Sequence, residues 1–337
     1  MKEYVYEDGV FTFEGSVSVQ RTDDWVMPWR INHELLELYP YLNEKKAKQP
    51  SGVRLAFSTT SVHIQLRLIE VPPGLMLDLI ADGEHRETVT PDGQSPYVIF
   101  KPLPAGLKQV EIWLDPRNEF KLNRVMVDED AVIYKTNVIQ KRWVHYGSSI
   151  SQSLEARTPS TIWTALVARK FNLHLTNLGF HSECKCEPLM AVLIRDLPAD
   201  LITLKIGINL VDGDLNRRTF KPAVLGMIKI IREKHPDTPL VVCSPIYTPL
   251  YDDIKGGSGY NLKEMRTVIV ECVEILSRYG DWNLYYVDGL KLFGPEAIEH
   301  MPDQLHPDAD GQYLLAEHFG EEVVGKILRQ QETGNRQ

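Results

Sequence analysis

Residues 142–151 read RWVHYGSSIS, and this stretch decides the fold of the second half of the chain. An apolar run that ends at Gly147 predicts a buried strand followed by a sharp turn. From here on, strand-like runs alternate with helical patterns, which predicts βαβ units and a parallel sheet covered by helices. The predicted strands are 142–147, 173–178, 200–207, 239–245 and 284–289, and the predicted helices are 161–171, 187–197, 219–235, 261–279 and 309–328.

The residues before this stretch follow a different pattern, in which apolar residues occupy every second position. The run from Val62 to Leu68 is typical, and clusters such as Pro72-Pro73-Gly74 separate it from its neighbours. The Asp82-Gly83 pair predicts a hairpin turn. Many short strands separated by turns predict an antiparallel β-sandwich or jelly roll. We therefore expect three segments, a β domain over 1–138, an α/β domain over 139–330 and a polar tail over 331–337.

Length, composition and charge exclude several classes of protein. The 337 residues are 43% hydrophobic and 25% charged, an ordinary globular composition that excludes a disordered, collagen-like or coiled-coil chain. The net charge of −9 argues against nucleic-acid binding as the main function. Because no apolar run has the length of a signal peptide or a membrane span, we expect a cytoplasmic protein without a membrane partner. The sequence does not predict the oligomeric state.

The cysteines do not form the pattern of a disulfide framework or of a metal site. There are four of them, Cys184, Cys186, Cys243 and Cys272, in a long chain. We expect reduced thiols. The closely spaced pair at 184 and 186 could contact a metal, but no second pair completes a tetrahedral zinc site. We therefore expect neither a metal nor another cofactor.

Polar residues follow the predicted strands at the edge where a doubly wound sheet binds its ligands, beyond the carboxyl ends of the strands. Ser148-Ser149 follows the first strand and His181-Ser182 the second. Asn209 follows the third, and the segment from Asp303 to His306 lies between the last strand and the last helix. This edge would bring together a hydroxyl group, amide donors, a carboxylate and an imidazole.

These segments resemble the sequence blocks of the SGNH, or GDSL-type, esterase and lipase superfamily. The GDS-like, Asn-x-Gly, Gly-x-Asn and Asp-x-x-His blocks occur in the family's order, at 147–149, 177–179, 207–209 and 303–306. The β domain in front resembles the branch that carries a jelly roll, which includes carbohydrate acetylesterases and an acyltransferase of polyketide biosynthesis. The resemblance implies a flavodoxin-like, three-layer α/β domain with about five parallel strands.

The resemblance also implies roles for individual residues. Ser149 aligns with the nucleophile, His306 would take its proton as general base, and Asp303 would hold and stabilise the imidazole. The family's oxyanion hole aligns with the backbone N–H groups of Ser149 and Ser182 and with the side chain of Asn209.

Two substitutions depart from the family pattern. Ser148 stands where the family has an aspartate, and Ser182 stands where it has the oxyanion glycine. A serine keeps its backbone N–H, but its side chain can narrow the acyl pocket. Gly147-x-Ser149-x-Ser151 also lacks the second glycine of the G-x-S-x-G elbow, which disfavours an ordinary α/β-hydrolase.

Other residues carry predictions of their own. His181, beside Ser182, is a candidate for substrate binding, with a solvated loop histidine as the alternative. The segment 247–260, YTPLYDDIKGGSGY, is predicted either to shape or cover the pocket or to be a surface excursion. For three tryptophans, burial in the sandwich is favoured over stacking on a sugar: Trp25, Trp29 and Trp113.

The sequence thus predicts a serine esterase that acts on small acyl esters, with O-acetylated carbohydrates as candidate substrates and partners. An acyltransferase that uses the same acyl-enzyme is the first alternative. A phospholipid lipase and a non-catalytic glycan-binding protein with a decayed SGNH domain are the others. Ser148 and Ser182 favour the decayed domain. It is disfavoured by the joint retention of four residues: Ser149, Asn209, Asp303 and His306.

Overall fold

The computed structural model describes residues 1–42, 44–137 and 139–333. Contacts within the chain divide it into two compact units. One contains Met1–Gln140 and Arg157–Ile162, and the other contains Lys141–Ala156 and the residues from Trp163 onward. The domain boundaries that we expect from the sequence stay predictions. Within the described residues, no helix is long and apolar enough to cross a lipid bilayer.

The first unit is a sandwich of two antiparallel sheets. One sheet has the order β3-β4-β11-β6-β9, with β1 paired to β11, and the other has the order β12-β5-β10-β7-β8, with β2 paired to β5. The strands are β1 (Lys2–Tyr4), β2 (Thr12–Glu14), β3 (Ser18–Arg21), β4 (Val26–Trp29), β5 (Arg54–Thr59), β6 (Ile64–Leu68), β7 (Leu77–Ala81), β8 (Glu84–Val89), β9 (Tyr97–Ile99), β10 (Lys108–Trp113), β11 (Leu122–Val127) and β12 (Ile133–Tyr134). A short helix, α1 (Glu44–Lys48), and 3-10 turns at Tyr6–Asp8, His33–Leu38 and Pro159–Thr161 complete the unit.

Alternation of apolar residues builds the sandwich core, as the sequence pattern predicts. In β6 the buried residues are Ile64, Leu66 and Leu68, while the residues between them are partly exposed. The hairpin between β7 and β8 turns at Asp82 and Gly83, whose positive φ angles of 52° and 79° match a tight hairpin. Burial is also confirmed for two of the tryptophans, Trp29 and Trp113, whereas Trp25 is half-buried.

The second unit contains a five-stranded parallel sheet, as predicted. Its strands are β13 (Lys141–Gly147), β14 (Leu173–Gly179), β15 (Leu201–Lys205), β16 (Leu240–Cys243) and β17 (Leu284–Val287). Their order is β14-β13-β15-β16-β17, the 2-1-3-4-5 order of flavodoxin-like folds. The helices are α2 (Ser149–Gln152), α3 (Trp163–Lys170), α4 (Pro188–Asp196), α5 (Phe220–Arg232), α6 (Leu262–Arg278), α7 (Ala309–Phe319) and α8 (Lys326–Thr333), with 3-10 turns at Ile208–Leu210, Gly289–Lys291 and Pro295–His300.

The last helix departs from its prediction as one continuous α-helix over 309–328. A π turn at Gly320–Gly325 separates α7 from α8. Val323, Val324 and Ile327 are buried, so the turn keeps the apolar side chains of this stretch on the core side. Because apolar spacing cannot distinguish one wider turn from a regular one, the sequence does not reveal it. Helix α8 continues to Thr333, and the rest of the predicted tail lies outside the described residues.

Candidate active site

The site lies at the switch point of the parallel sheet. Strands β13 and β15 are neighbours, while the chain leaves β13 toward β14 on one side and leaves β15 toward β16 on the other. A crevice forms at such a point, beyond the carboxyl ends of the two strands. Ser149 follows β13 and Asn209 follows β15, so both residues stand beside this crevice.

The single turn of α2 presents Ser149 at its first position. The Ser148 hydroxyl caps the turn by accepting a hydrogen bond from the Ile150 N–H at 3.3 Å, and Ser153 ends it with a left-handed φ of 59°. The aspartate that the family carries at position 148 would cap the turn in the same way, because serine and aspartate are both good N-cap residues. The capping role therefore survives this departure from the family pattern.

A buried polar network of residues on the sheet strands holds α2 in place. His145 contacts two hydroxyl groups, with Nδ1 2.7 Å from Thr203 Oγ1 and Nε2 2.8 Å from Ser151 Oγ. Asn177 Nδ2 donates to the Ser151 carbonyl at 2.8 Å. Burial, followed by the charge of Lys205, lowers the pKa of His145 well below its usual value, so this histidine is neutral. It acts as part of the scaffold beneath Ser149.

Ser149, His306 and Asp303 form a continuous hydrogen-bonded series. His306 Nε2 lies 2.9 Å from Ser149 Oγ, and His306 Nδ1 lies 2.6 Å from Asp303 Oδ2. The other carboxylate oxygen of Asp303 accepts from the backbone N–H groups of Leu305 and His306, at 2.9 and 2.7 Å. Burial alone would raise the pKa of Asp303, but these hydrogen bonds to its charged form outweigh it and lower the pKa.

The carboxylate therefore stays ionised and can stabilise a positively charged imidazole. Ser149 itself is 6% exposed, and its hydroxyl faces the one histidine nitrogen that Asp303 does not use. An imidazole held in this way can accept the hydroxyl proton, which converts a weak nucleophile into a strong one.

The three predicted oxyanion donors all lack a partner within the part of the chain that the structure describes. No hydrogen bond there uses the backbone N–H of Ser149, the backbone N–H of Ser182 or the Nδ2 group of Asn209. The Cys184 N–H donates to Asn209 Oδ1 at 3.1 Å, which fixes the amide orientation because only the oxygen can accept. Nδ2 of Asn209 is therefore left as the donor.

The loop after β14 is tied to both neighbouring segments. Gln152 on α2 accepts a hydrogen bond from the His181 N–H at 2.8 Å, and the Phe180 N–H donates to the Gly147 carbonyl at 2.9 Å. Together with the bond from Cys184 to Asn209, these contacts bring the segments that carry the three donors to one end of the sheet. The sequence motifs do not predict these roles of Gln152 and of the Cys184 backbone. The sequence indicates only that both residues follow strands at the carboxyl edge of the sheet.

Ser182 adopts a backbone conformation that favours glycine. Its φ is 64°, in the left-handed region, and its hydroxyl lies 2.9 Å from His181 Nδ1. The His181 ring in turn stacks on the His306 ring, with centroids 6.1 Å apart and an interplanar angle of 22°. The structure thus places His181 beside the imidazole of His306 and not on a remote loop.

Glu155 is a further residue near the site that the motifs do not predict. Burial raises the pKa of its carboxyl group; His306 opposes this rise, and the charge of Asp303 adds to it. Glu155 therefore lies within electrostatic reach of both residues, although its surface is exposed to solvent.

The cysteines lie in the interior as free thiols. Burial raises the pKa of Cys184 and Cys186, and it raises the pKa of Cys243 to about 12. Such thiols stay protonated and are poor metal ligands and nucleophiles. Among the described residues, no group of three or more His, Cys, Asp or Glu side chains could hold a metal ion.

Comparison with known proteins places this site in context. Residues 140–324 match the GDSL-like lipase/acylhydrolase family, and residues 11–123 match the family of the SsfX3 N-terminal domain. Among solved structures, the salicylyl-acyltransferase SsfX3 from a tetracycline biosynthetic pathway is 35% identical, with a TM-score of 0.88 over 96% of this chain and 97% of that chain. A search of the curated proteins found no match.

Two further structures share the fold at lower identity. A putative GDSL-like lipase from Bacteroides ovatus is 22% identical, with a TM-score of 0.74 over 94% of this chain and 96% of its own. A family two carbohydrate esterase from Clostridium thermocellum, in complex with cellohexaose, is 14% identical, with a TM-score of 0.66 over 94% of this chain and 99% of its own. At these identities the likeness concerns the fold alone.

Proposed function

The chain belongs to the GDSL-like lipase/acylhydrolase family, and we propose that it is a serine esterase that forms an acyl-enzyme on Ser149. The observation that carries this proposal is the hydrogen-bonded series in which His306 lies 2.9 Å from the Ser149 hydroxyl and 2.6 Å from Asp303. In a decayed, non-catalytic domain, nothing would constrain these three side chains to keep this geometry.

Acylation begins when Ser149 Oγ attacks the ester carbonyl carbon. His306 Nε2 takes the hydroxyl proton as the new C–O bond forms, and Asp303 stabilises the imidazolium. The negative charge moves to the carbonyl oxygen, where the N–H groups of Ser149 and Ser182 and Nδ2 of Asn209 stabilise it. The alcohol then leaves with the proton from His306, and water repeats the sequence to release the acid.

A small acyl group is the substrate that the site supports best. Ser182 places a hydroxymethyl group beside a proposed oxyanion donor, where the family's glycine would leave open space. We propose that this group and the stacked rings of His181 and His306 disfavour a long acyl chain. We therefore propose small acyl esters, with O-acetylated carbohydrates as the candidate class.

A second function, acyl transfer to an acceptor hydroxyl, is favoured by one specific observation. One solved structure that is 35% identical to this chain, over 96% of its length, is described as a salicylyl-acyltransferase. Transfer needs the same acyl-enzyme, and His306 would deprotonate the acceptor hydroxyl in place of water. The two functions differ only in the molecule that attacks the acyl-enzyme.

Hydrolysis of p-nitrophenyl acetate and of the octanoate ester tests the proposal. We expect wild-type protein to turn over the acetate faster than the octanoate, and Ser149→Ala to lose this turnover. Ser277→Ala, a serine on α6, is the matched control and should behave as wild type. Equal rates in wild type and Ser149→Ala would contradict a serine mechanism.

An added alcohol distinguishes hydrolysis from transfer. If glycerol raises p-nitrophenol release and yields acetylglycerol at the expense of acetate, the enzyme is a transferase. If acetate remains the product at high glycerol concentration and turnover is undiminished, hydrolysis is favoured over transfer.

A further inference from the structure

The loop 247–260, which connects β16 to α6, contacts the segment that carries Asp303 and His306. Thr248 Oγ1 donates a hydrogen bond to the carbonyl of Gln304 at 2.6 Å. Gln304 directly follows Asp303, so this bond ends within two residues of both the acid and the base. Thr248 is fully buried, and water does not compete for its hydroxyl.

The backbone conformation of Gln304 explains why the hydrogen bond from Thr248 matters. Its φ is 63°, a left-handed conformation that is strained for a non-glycine residue. Strained residues of this kind persist where the surrounding structure holds them. The left-handed turn at Gln304 is what allows Asp303 to reach back to the N–H and the imidazole of His306.

Thr248 is itself held firmly. Its hydroxyl accepts from the Leu250 N–H at 3.2 Å, and its carbonyl accepts from the Asp252 N–H at 3.0 Å. Asp252 forms a buried ion pair with Arg266 on α6, with 2.5 Å between Oδ1 and Nη2. Arg266 also donates to the carbonyl of Ile246 at 3.1 Å. The start of the loop is therefore fastened to the longest helix of the unit.

The far end of the same loop packs on the segment that follows Asn209. The Ser258 N–H donates to the Val211 carbonyl at 3.1 Å. A Cβ atom on Gly256 would lie 2.2 Å from the Val211 carbonyl oxygen, so only glycine fits there. One loop thus contacts two segments of the site. It contacts the segment that carries Asp303 and His306, here called the acid–base segment, at Gln304, and it contacts the segment that follows Asn209, here called the oxyanion segment, at Val211.

We propose that Thr248 is a positioning residue of the active site, whose hydroxyl holds the Asp303–His306 turn in its reactive conformation. The loop 247–260 then acts as a brace between the acid–base segment and the oxyanion segment. The kinetic part of this inference rests on the proposed function, whereas the effect on the His306–Asp303 hydrogen bond does not.

The kinetic test compares Thr248→Val, which removes the hydroxyl at nearly constant volume, with Thr248→Ser, which keeps it. We expect Thr248→Val to lower kcat about 10- to 100-fold with KM within about twofold of wild type, because a misplaced catalytic group costs rate more than binding. Thr248→Ser should stay within about threefold of wild type. Thr248→Ala replaces the valine variant if that protein does not fold.

Thr59→Val is the matched control. Thr59 is also fully buried, donates to a carbonyl at 2.7 Å (Val132) and accepts from the N–H two residues later at 3.0 Å (Ser61). It lies in the β-sandwich unit, and its loss should leave kcat unchanged. A fall in kcat in this control as large as in Thr248→Val would show a general loss of stability and overturn the inference.

A spectroscopic readout separates this inference from the proposed function. The proton between His306 Nδ1 and Asp303 should give a far-downfield proton resonance, assigned by its loss in His306→Gln. We expect Thr248→Val to broaden or lose this signal, and Thr248→Ser and Thr59→Val to keep it. If Thr248→Val alone loses or broadens the signal but no turnover depends on Ser149, the positioning role of Thr248 is supported and the proposed function is wrong. If turnover depends on Ser149 while Thr248→Val keeps the resonance and kcat, the brace is wrong.

Discussion

At the scale of single residues, the proposed oxyanion hole combines donors of two kinds. Ser149 and Ser182 contribute backbone N–H groups, which no side-chain substitution other than proline removes. Asn209 contributes a side-chain amide, whose orientation is set by the Cys184 N–H. A replacement at Asn209 should therefore remove a donor, whereas one at Ser182 should not.

We expect Asn209→Ala to lower kcat about 100- to 1000-fold, the cost of one lost oxyanion donor. Ser182→Gly should keep kcat within about threefold and gain stability, because glycine adopts a φ of 64° without strain. Steady-state kinetics on p-nitrophenyl acetate and thermal melting of both variants provide the measurement. An equal loss of kcat in the two variants would mean that the Ser182 hydroxyl, through its contact with His181, has a role that the backbone donor does not explain.

At the scale of elements, the position of α2 depends on close packing against the ends of two strands. A Cβ atom on Gly179 at the end of β14 would lie 2.5 Å from the Ser151 carbonyl carbon, and one on Gly147 at the end of β13 would lie 2.2 Å from Ser151 Oγ. Both distances are far below van der Waals contact. The helix that carries Ser149 can occupy its place only because both strands end in glycine.

Gly179→Ala should therefore push α2 away from the sheet. We expect a loss of about 1–3 kcal/mol in the free energy of unfolding, typical of overpacking, and at least a tenfold loss of kcat, because Ser149 moves relative to His306. Gly226→Ala on α5 is the control, since a Cβ there meets no atom within 4 Å. It should raise stability by about 0.5–1 kcal/mol, as expected for a helical glycine. Wild-type kcat in Gly179→Ala would contradict this reading of the packing.

At the scale of the whole molecule, the second unit buries a lysine at the carboxyl end of the central strand of its sheet. Lys205 on β15 is 2% exposed, and burial lowers its pKa from 10.5 to about 8, although the neighbouring Cys243 and Cys184 oppose this shift. Below about pH 8 the folded protein carries the cost of a buried charge. As the pH rises from about 8 toward 10.5, the folded state releases the proton before the unfolded state does, so this contribution to stability increases.

Lys205→Met should remove this cost. We expect the variant to be more stable than wild type near pH 7, by up to about 3 kcal/mol for a shift of this size. The difference should shrink toward zero between about pH 8 and 10.5. The cysteine thiols ionise over this range only in the unfolded state, and this contribution is common to both proteins and largely cancels in the difference. Urea unfolding followed by the helical circular dichroism signal measures it. A difference that does not vary with pH would contradict a buried, titrating lysine.

Much of this architecture follows from local sequence patterns. Strand and helix positions in the second unit follow from apolar spacing. The candidates Ser149, Asn209 and His306 follow from the resemblance of their motifs to those of the SGNH family, which the position of Ser149 and Asn209 after predicted strands supports. The contact between Thr248 and Gln304 cannot be predicted in this way, because it joins residues far apart in sequence through a backbone carbonyl that has no residue preference.

The other structural features that the sequence does not predict have similar physical origins. The left-handed conformations of Ser182 and Gln304 occur at non-glycine residues, so composition gives no sign of them. The π turn at Gly320–Gly325 preserves the burial of its apolar residues and leaves their pattern intact. Tertiary contacts, and not local propensity, determine all three features.

Acylation of Ser149 is the central claim, and mass spectrometry of the protein after rapid mixing with p-nitrophenyl acetate tests it most directly. Wild-type protein should gain the mass of one acetyl group, and peptide mapping should place that group on Ser149. Ser149→Ala should gain none, and His306→Ala should gain it far more slowly. Acetylation of another residue, or equal acetylation of wild type and Ser149→Ala, would contradict the mechanism.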